Sequence, residues 1–422
     1  MAMKIAILSD IHAGLDSTAQ DLCPHELLSS EQAKVEYSNK QVDYISRFLS
    51  FVRNEKLKAD YLLVPGDITD KAYPVETKMA SECIEKISKE LAIPSNNVLF
   101  VPGNHDACWK MHDVADSMGI MWNHRYLALQ SEKFIFAGIN KRAKSGNIFS
   151  EGYYNLWMYE DLIVVGYNSS SQEMPTDKIR CGSIVDEHLQ SLEKTLKKFK
   201  IRNDNRIKIF MLHHHIHDFK MPKGSQQDHS LAHNGESLVS LLRKFKFDFI
   251  LHGHRHYSCF DAQNCVIPIF CAGSFSAKIS TEWVREVSNQ FHIIEIETKT
   301  KQMARIRGFI YSWSNTPDGW ERSPEYDNRP IVGYQRAFGC SLDDKRVAKK
   351  IKDRIAALAR EKKWFNWLGD IEASIQELKY MSQTREEIVD WCKEEALDSS
   401  KWNIFVTKDN NVLFCKDEEC AT

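Results

Sequence analysis

The residues that could do chemistry lie in short polar clusters spread along the first two-thirds of the chain. In order, they are the patterns D-x-H (Asp10, His12), G-D-x-x-D (Asp67, Asp70), G-N-H-D (Asn104, His105, Asp106), H-H (His213, His214) and G-H-x-H (His254, His256). Their donors are carboxylate and amide oxygens and imidazole nitrogens, without a thiolate. This set suits Mn²⁺, Fe or Zn²⁺ in a catalytic site better than a structural zinc site.

The number of ligands is large enough for a pair of divalent cations. Two cations held about 4 Å apart need one carboxylate that bridges them, and neutral ligands that limit the negative charge. Asp67 is the natural bridge. Asp10, His12 and one of the two terminal histidines would complete one cation, and Asn104, His213 and the other terminal histidine would complete the second.

Each cluster follows an apolar run typical of a buried strand. Tyr61–Val64 ends at the turn signal Pro65-Gly66, and Lys4–Leu8 runs into Ser9-Asp10. The residues Asp10 and His12 should point to one side if this segment continues as a strand. Runs with helical spacing separate these strands, such as Val42, Ile45, Leu49 and Val52, and then Met79, Cys83, Ile87 and Leu91. The alternation predicts an α/β fold with a mainly parallel sheet, whose strand ends gather the ligands.

Two polar insertions interrupt this pattern. Residues 13–34 show no clear periodicity, and residues 107–130 contain Trp109, His112, Trp122 and His124. The second insertion leaves directly from the G-N-H-D turn. It could cover the site and contact substrate, or it could be a packed structural loop.

The order and spacing of the clusters resembles the calcineurin-like metallophosphoesterase family over about Met1–Ile310. The resemblance implies two mixed sheets sandwiched between helices. It also implies that one metal is held by Asp10, His12, Asp67 and His256, and the other by Asp67, Asn104, His213 and His254. By the same resemblance, His105 protonates the leaving group and is held by Asp70. Many members read H-H-P-P where this chain has His213-His214-His215-Ile216, so the ligand His213 is retained and the lining beside it differs. His214 and His215 lie near the site in sequence, and we interpret them as substrate-facing or as residues that support the ligands from behind.

The chemistry expected of such a centre is hydrolysis. A water shared by two cations has its pKa lowered toward neutrality, so that a bridging hydroxide is available for in-line attack on phosphorus. The cations and nearby donors then neutralise charge on the phosphate oxygens.

Three functions are compatible with these residues. A phosphodiesterase acting on a small nucleotide-type diester is favoured, because the layout from Leu162 through Gly182–Glu193 resembles class III cyclic-nucleotide phosphodiesterases. A DNA or RNA nuclease is the alternative, with the basic segments Lys194–Lys208 and Arg346–Lys363 following phosphates. A scaffold that has lost catalysis is the third, but it predicts missing ligands, and every position is filled.

Composition limits the setting and the organisation of the chain. The 422 residues are 43% hydrophobic and 27% charged with a net charge of −2, which excludes a global basic surface for nucleic acid. The 11 cysteines include no C-x-x-C pair, and neither a secretory signal nor a membrane span is recognisable, so we expect a reducing, cytoplasmic setting without membrane attachment. Residues 1–316 should form the phosphoesterase domain and 317–330 a linker. Residues 331–422 should form a helical domain with a terminal β-hairpin, which could also support oligomerisation.

Overall fold

The computed structural model describes residues 2–107, 149–150, 153–172, 181–219, 230–262, 267–279, 287–297, 306–324 and 331–417. The apolar run Phe134–Gly138, whose sequence predicts a strand, and the insertion at 107–130, except Ala107, lie outside these residues. The described chain divides into two compact units. Unit 1 comprises 1–261, 267–304 and 310–335, and unit 2 comprises 262–266, 305–309 and 336–422.

The strands are, in chain order, β1 (Ala2–Ile7), β2 (Tyr61–Val64), β3 (Val98–Phe100), β4 (Phe149–Ser150), β5 (Tyr154–Met158), β6 (Leu162–Tyr167), β7 (Ile207–Met211), β8 (Phe249–His252), β9 (Cys259–Asp261), β10 (Ile269–Cys271), β11 (Gln290–Glu297), β12 (Gly308–Thr316), β13 (Gly319–Arg322), β14 (Gln335–Phe338), β15 (Trp364–Asn366), β16 (Trp402–Val406) and β17 (Val412–Lys416).

The α-helices are α1 (Glu31–Ser38), α2 (Tyr44–Asn54), α3 (Pro74–Glu90), α4 (Asp186–Lys198), α5 (Gly235–Lys244), α6 (Lys345–Glu361) and α7 (Arg385–Trp391). Short helical turns occur at Gln20–Leu22, His25–Leu27, Ser95–Asn97, Asn104–Asp106, Ile201–Asn203, Trp367–Ile371, Glu372–Ser374, Gln376–Tyr380 and Cys392–Ala396. Among the described residues, no helix is both long and apolar enough to cross a lipid bilayer.

Unit 1 contains two large mixed sheets with helices on them, as the resemblance implied. The first sheet has the strand order β13-β12-β11-β1-β2-β3, in which β1 pairs parallel with β2 and antiparallel with β11. The second has the order β4-β5-β6-β7-β8-β10-β9, and its central strands β6, β7 and β8 are parallel. The parallel strands β2 and β7 are buried throughout, which explains their continuous apolar sequences.

Helix α2 shows where the sequence prediction and the structure differ. The helix begins at Tyr44, so Val42 precedes it and is exposed, and its buried face is Tyr44, Ile45, Phe48 and Val52. The face is rotated by about one residue from the predicted one. The helix packs with β2 and α3 in one hydrophobic core, and that core fixes the strand ends that carry the site.

Unit 2 has its own core and a three-stranded antiparallel sheet in the order β15-β17-β16. The amphipathic sequences of 347–363 and 371–397 predict two helices. Helix α6 covers most of the first. In the second, only Arg385–Trp391 is α-helical, and short turns make up most of the rest. Strand β13 falls inside the stretch that we predicted as a linker, 317–330. The predicted domain limits, 1–316 and 331–422, remain a prediction.

Candidate metal centre

Strand ends from both large sheets deliver the candidate ligands. Asp10 and His12 follow β1, Asp67 follows β2, Asn104 follows β3, His213 follows β7, and His254 and His256 follow β8. Because parallel neighbours end on one edge of a sheet, these side chains meet although they are far apart in sequence.

The first group could hold one cation. It consists of Asp10, His12, Asp67 and His256, whose ligand atoms lie within 4.8 Å of one another. His12 Nε2 is 3.6 Å from Asp67 Oδ2, and His256 Nε2 is 3.5 Å from Asp10 Oδ1. Two carboxylates and two imidazoles are a common donor set for a catalytic divalent cation.

The second group shares Asp67 with the first. Asn104 Oδ1 lies 3.1 Å from both His213 Nε2 and His254 Nδ1. Asp67 Oδ2 is 3.0 Å from His213 Nε2, so the oxygen that faces His12 also faces His213. Asp67 therefore occupies the position that a bridging carboxylate needs.

The residues present fit a pair of cations. His12 is almost fully buried, and among the described residues neither of its ring nitrogens has a hydrogen-bond partner. A buried polar atom without a partner carries a free-energy cost, which a metal–nitrogen bond would remove. The donors around it are oxygens and imidazole nitrogens, which are the ligand types that catalytic divalent cations take.

Several backbone contacts orient these ligands. His213 Nδ1 lies 2.8 Å from the carbonyl oxygen of Pro65, so Nδ1 carries the proton and Nε2 presents its lone pair to the site. Asp10 accepts hydrogen bonds from the Ser9 hydroxyl and from the amide of His254. The amide of His105 donates to Asp67 Oδ1 at 2.9 Å, leaving Oδ2 for the cations.

Electrostatics match this arrangement for three of the four candidate ligand histidines. Burial lowers the pKa of His12 and His254 well below the usual value and that of His256 to about 4, so these rings are neutral at pH 7. The exception is His213: burial lowers its pKa, but Asp67 and Asp10 outweigh burial and raise the pKa to about 9, so the ring holds a proton that a bound cation would displace. Burial raises the pKa of Asp67, but the surrounding histidines, His213 first, outweigh it and hold that pKa well below its usual value.

Five of the candidate ligands have a left-handed backbone. Asp10, His12, Asp67, His254 and His256 have φ between 50° and 75°. This corrects our expectation that Asp10 and His12 share an extended segment, although both join one group. Left-handed backbone is costly for residues other than glycine, so the surrounding contacts must enforce it.

Two glycines allow the strand ends to approach. A Cβ on Gly66, whose φ is +98°, would lie 2.6 Å from His213 Nδ1, and a Cβ on Gly103 would collide with Asp67. The glycines of the G-D and G-N-H-D patterns are therefore required by close packing around the centre.

His105 lies beside the first group, with its ring centroid 4.5 Å from that of His12 and its side chain 37% exposed. Its Nδ1 is 2.8 Å from the carbonyl oxygen of Asp70 and 3.8 Å from Asp70 Oδ1. The nearer partner is thus the main chain of Asp70, where the resemblance suggested its carboxylate. Burial lowers the pKa of His105. Asp67 and Asp70 outweigh burial and raise this pKa to about 10.

His214 and His215, which we interpreted as substrate-facing, are both buried. His214 Nδ1 is 2.9 Å from Ser169 Oγ, and His214 offers a ligand atom within 4.8 Å of those of His213 and His254. His214 is therefore also a candidate ligand for the second cation.

Two carboxylates without a predicted role, Asp106 and Glu76, hold the turns of the site. Asp106 accepts from the amides of Ile68, Thr69 and Gly103, and Glu76 accepts from the amides of Lys71 and Tyr73. Each had a signal: Asp106 ends the G-N-H-D pattern. Glu76 follows Pro74 by two positions, as at a helix start.

Comparison with known proteins places this geometry in a family. The family model of calcineurin-like phosphoesterases matches residues 3–258, which is more than half of the chain. No curated protein matches the sequence.

Several solved structures are similar at low identity. A purple acid phosphatase from yellow lupin (Lupinus luteus) seeds has 15% identity and a TM-score of 0.42, with 74% of this chain and 52% of that chain covered. A dimetal phosphatase from Danio rerio has 13% identity and a TM-score of 0.39, with 74% of this chain and 95% of that chain covered. A 5'-nucleotidase, described as putative, from Staphylococcus aureus has 12% identity and a TM-score of 0.37, with 84% of this chain and 59% of that chain covered. The chain spans about half the length of the lupin phosphatase.

Proposed function

Because the chain belongs to the calcineurin-like phosphoesterase family, we propose that it hydrolyses a phosphodiester with two divalent cations, and that its substrate is a small nucleotide-type diester. The observation that carries this proposal is the position of Asp67 Oδ2 between His12 and His213. One carboxylate oxygen facing both ligand groups is what a two-metal centre needs.

In the proposed assignment, Asp10, His12, Asp67 and His256 hold one cation, and Asp67, Asn104, His213 and His254 hold the other. When bound, the cations lower the pKa of a shared water and neutralise charge on the phosphate oxygens.

The protein's own residues supply the remaining steps. Nδ1 of His105 is engaged by the carbonyl of Asp70, so Nε2 is the nitrogen that can give a proton to the leaving oxygen. In the metal-free protein, burial lowers the pKa of this ring, but Asp67 and Asp70 outweigh burial and raise the pKa to about 10, which favours the protonated form that the acid role needs. Asp10, His12, Asp67, Asn104 and His213 are buried, whereas His105 is 37% exposed, so His105 lies on the side from which a substrate would approach.

The charge pattern favours a small substrate over a nucleic acid. In the segment Lys194–Lys208, Lys197 forms an ion pair with Glu193 at 2.7 Å. In Arg346–Lys363, Lys350 pairs with Glu377 and Lys352 with Glu395. Part of the positive charge that could follow a phosphate backbone is thus compensated within the protein.

The test uses full-length protein stripped of metal with a chelator. We expect hydrolysis of bis(p-nitrophenyl) phosphate to disappear and to return with Mn²⁺, Fe²⁺ or Zn²⁺. Cyclic nucleotides should be cleaved, while single-stranded and duplex DNA should not be. DNA cleavage that falls steeply with salt would instead identify a nuclease.

A matched pair of variants tests the bridge. Asp67→Asn should lose bound metal, measured by elemental analysis, together with turnover. Asp60 directly precedes β2, at the opposite end of the strand from Asp67. Asp60→Asn makes the same change there and should keep both bound metal and turnover. Equal turnover with and without chelator, or an Asp67→Asn variant that keeps both metals, would contradict the proposed mechanism.

A further inference from the structure

The peptide group between Asp70 and Lys71 is hydrogen-bonded at both ends. Its carbonyl oxygen lies 2.8 Å from His105 Nδ1, and its N–H donates to Glu76 Oε2 at 2.8 Å. A continuous chain therefore runs from the Glu76 carboxylate through one peptide group to the His105 ring. The carboxylate of Asp70, at 3.8 Å, lies outside this chain.

Glu76 holds the whole turn that carries this peptide. It is fully buried in the first turn of α3, and the same Oε2 accepts a second hydrogen bond, from the amide of Tyr73 at 3.1 Å. The turn is also fixed from the opposite strand end, since the amide of Asp70 donates to the carbonyl of Ala13 at 3.0 Å.

The packing around Glu76 leaves little room for the turn to move. A Cβ on Gly14 would lie 2.6 Å from Asp70 Cβ and 2.8 Å from Glu76 Oε1. Gly14, Asp70 and Glu76 thus meet at van der Waals distance. The Asp70–Lys71 peptide and Glu76 are therefore coupled both by a direct hydrogen bond and by close packing.

We propose that Glu76 is a positioning residue that acts on His105 through the Asp70–Lys71 peptide. This inference rests on the proposed function, in which His105 protonates the leaving oxygen. Accepting the Lys71 N–H polarises the peptide and strengthens its carbonyl as an acceptor for His105 Nδ1–H. The ring is then held in one orientation, with Nε2 toward the substrate.

Loss of the carboxylate should damage the acid step selectively. A small misplacement of a catalytic group can cost about 100-fold in rate, so we expect Glu76→Ala to lower kcat by about 10- to 100-fold where leaving-group protonation matters. Glu76→Gln keeps an oxygen acceptor at the same place and should retain most of the activity. Metal content should be unchanged in both.

The experiment compares two diesters that differ only in the leaving group, methyl phenyl phosphate and methyl p-nitrophenyl phosphate. Nitrophenolate leaves without a proton, whereas phenolate needs one. We expect Glu76→Ala to lose kcat on the phenyl ester, to change little on the nitrophenyl ester, and to keep its KM. His105→Ala should show the same selectivity, and the double variant should be no slower than His105→Ala.

The matched control is Glu387→Ala. Glu387 accepts from the amide of Thr384 at 2.7 Å at the start of α7, in unit 2, so this change removes a similar helix-start contact far from the site in sequence. It should leave both esters unaffected. Equal losses of Glu76→Ala on both esters, or losses that multiply with those of His105→Ala, would overturn the positioning role.

A second measurement does not depend on activity. In metal-free protein, ¹H–¹⁵N spectra should show a hydrogen-bonded Nδ1–H of His105, and this signal should vanish in Glu76→Ala and persist in Glu76→Gln. Persistence in Glu76→Ala would overturn the inference. If the wild type hydrolyses neither ester while the spectra behave as expected, the proposed function fails and the positioning contact stands.

Discussion

At the residue scale, the unusual property of the site is its backbone. His256 has φ of 58° and its side chain is 25% exposed, so it combines left-handed strain with limited packing. The left-handed conformation costs roughly 1–2 kcal/mol for an L-residue with a Cβ and much less for glycine. The left-handed backbone of His256 therefore lowers the stability of the folded state, at a position where it places a candidate metal ligand.

Two substitutions of His256 separate these effects. His256→Ala and His256→Gly both remove the imidazole and should weaken metal binding equally. His256→Gly also relieves the backbone, so metal-free His256→Gly should be about 1 kcal/mol more stable than His256→Ala in urea unfolding. Equal stability of the two variants would show that the backbone at this position is not strained.

Asp106 gives a second prediction at this scale. Its buried carboxylate accepts hydrogen bonds from the amides of Ile68, Thr69 and Gly103 and from the Thr69 hydroxyl. Asp106→Ala leaves these donors unpaired, and hydrogen bonds to a charged group are worth about 1.5–3 kcal/mol each, so we expect at least about 3 kcal/mol of destabilisation and weaker metal binding.

The control for Asp106 is Asp344→Ala in unit 2. Asp344 is an exposed N-cap that accepts from the amides of Arg346 and Val347, and its loss should cost about 1 kcal/mol without affecting metal binding. A similar cost for the two variants in urea unfolding would contradict the role of Asp106 in tying the turns after β2 and β3 together.

At the element scale, His292 links β11 to its surroundings as a neutral ring. Its Nε2 accepts from the amide of Gly273 at 3.0 Å, and its Nδ1 lies 2.7 Å from the Ser312 hydroxyl on β12. Burial lowers the pKa of His292 to about 3. Protonation would remove the acceptor that Gly273 uses, so the folded state resists it.

The sign of the pH dependence follows from this pKa. The unfolded chain takes up a proton at a pKa of about 6.5, so between about pH 6.5 and 3 the unfolded state binds more protons than the folded state. The stabilisation is complete above pH 6.5 and is lost as the pH falls toward 3. The shift corresponds to up to about 5 kcal/mol.

His292→Gln should therefore flatten the acid side of the stability curve. Urea unfolding between pH 7 and 4 should show a smaller loss of stability than in the wild type, because this group no longer titrates. The exposed His25→Gln should follow the wild-type curve. Parallel curves for His292→Gln and the wild type would refute a buried neutral ring.

The strands and the turns that follow them show which features of the site could be predicted from the sequence. The strand ends were predictable, because apolar runs such as Tyr61–Val64 stop at Pro65-Gly66, and ligand types follow them directly. The left-handed backbone of Asp10 and His12 was not, because it results from contacts with distant strand ends and not from local propensity. The roles of Asp106 and Glu76 depend on turns brought together only by folding.

At the scale of the whole molecule, all candidate site residues belong to unit 1, while unit 2 has a separate hydrophobic core. Ile351 on α6 and Leu62 on β2 are fully buried members of the two cores. Replacing a buried Leu or Ile by Ala typically costs about 2–5 kcal/mol. Ile351→Ala should therefore weaken unit 2, and Leu62→Ala should weaken unit 1.

Ile351→Ala should lower the opening free energy of the α6 amides by about 2–5 kcal/mol and leave those of β2 unchanged in native-state hydrogen exchange. Metal content and turnover should stay at wild-type values, since the ligands lie in the other unit. Leu62→Ala should do the reverse, weakening β2 and, with it, the turn that carries Asp67. If Ile351→Ala lowered the protection of α6 and β2 equally, the two units would unfold as a single cooperative structure, and stability of the metal centre would depend on both cores.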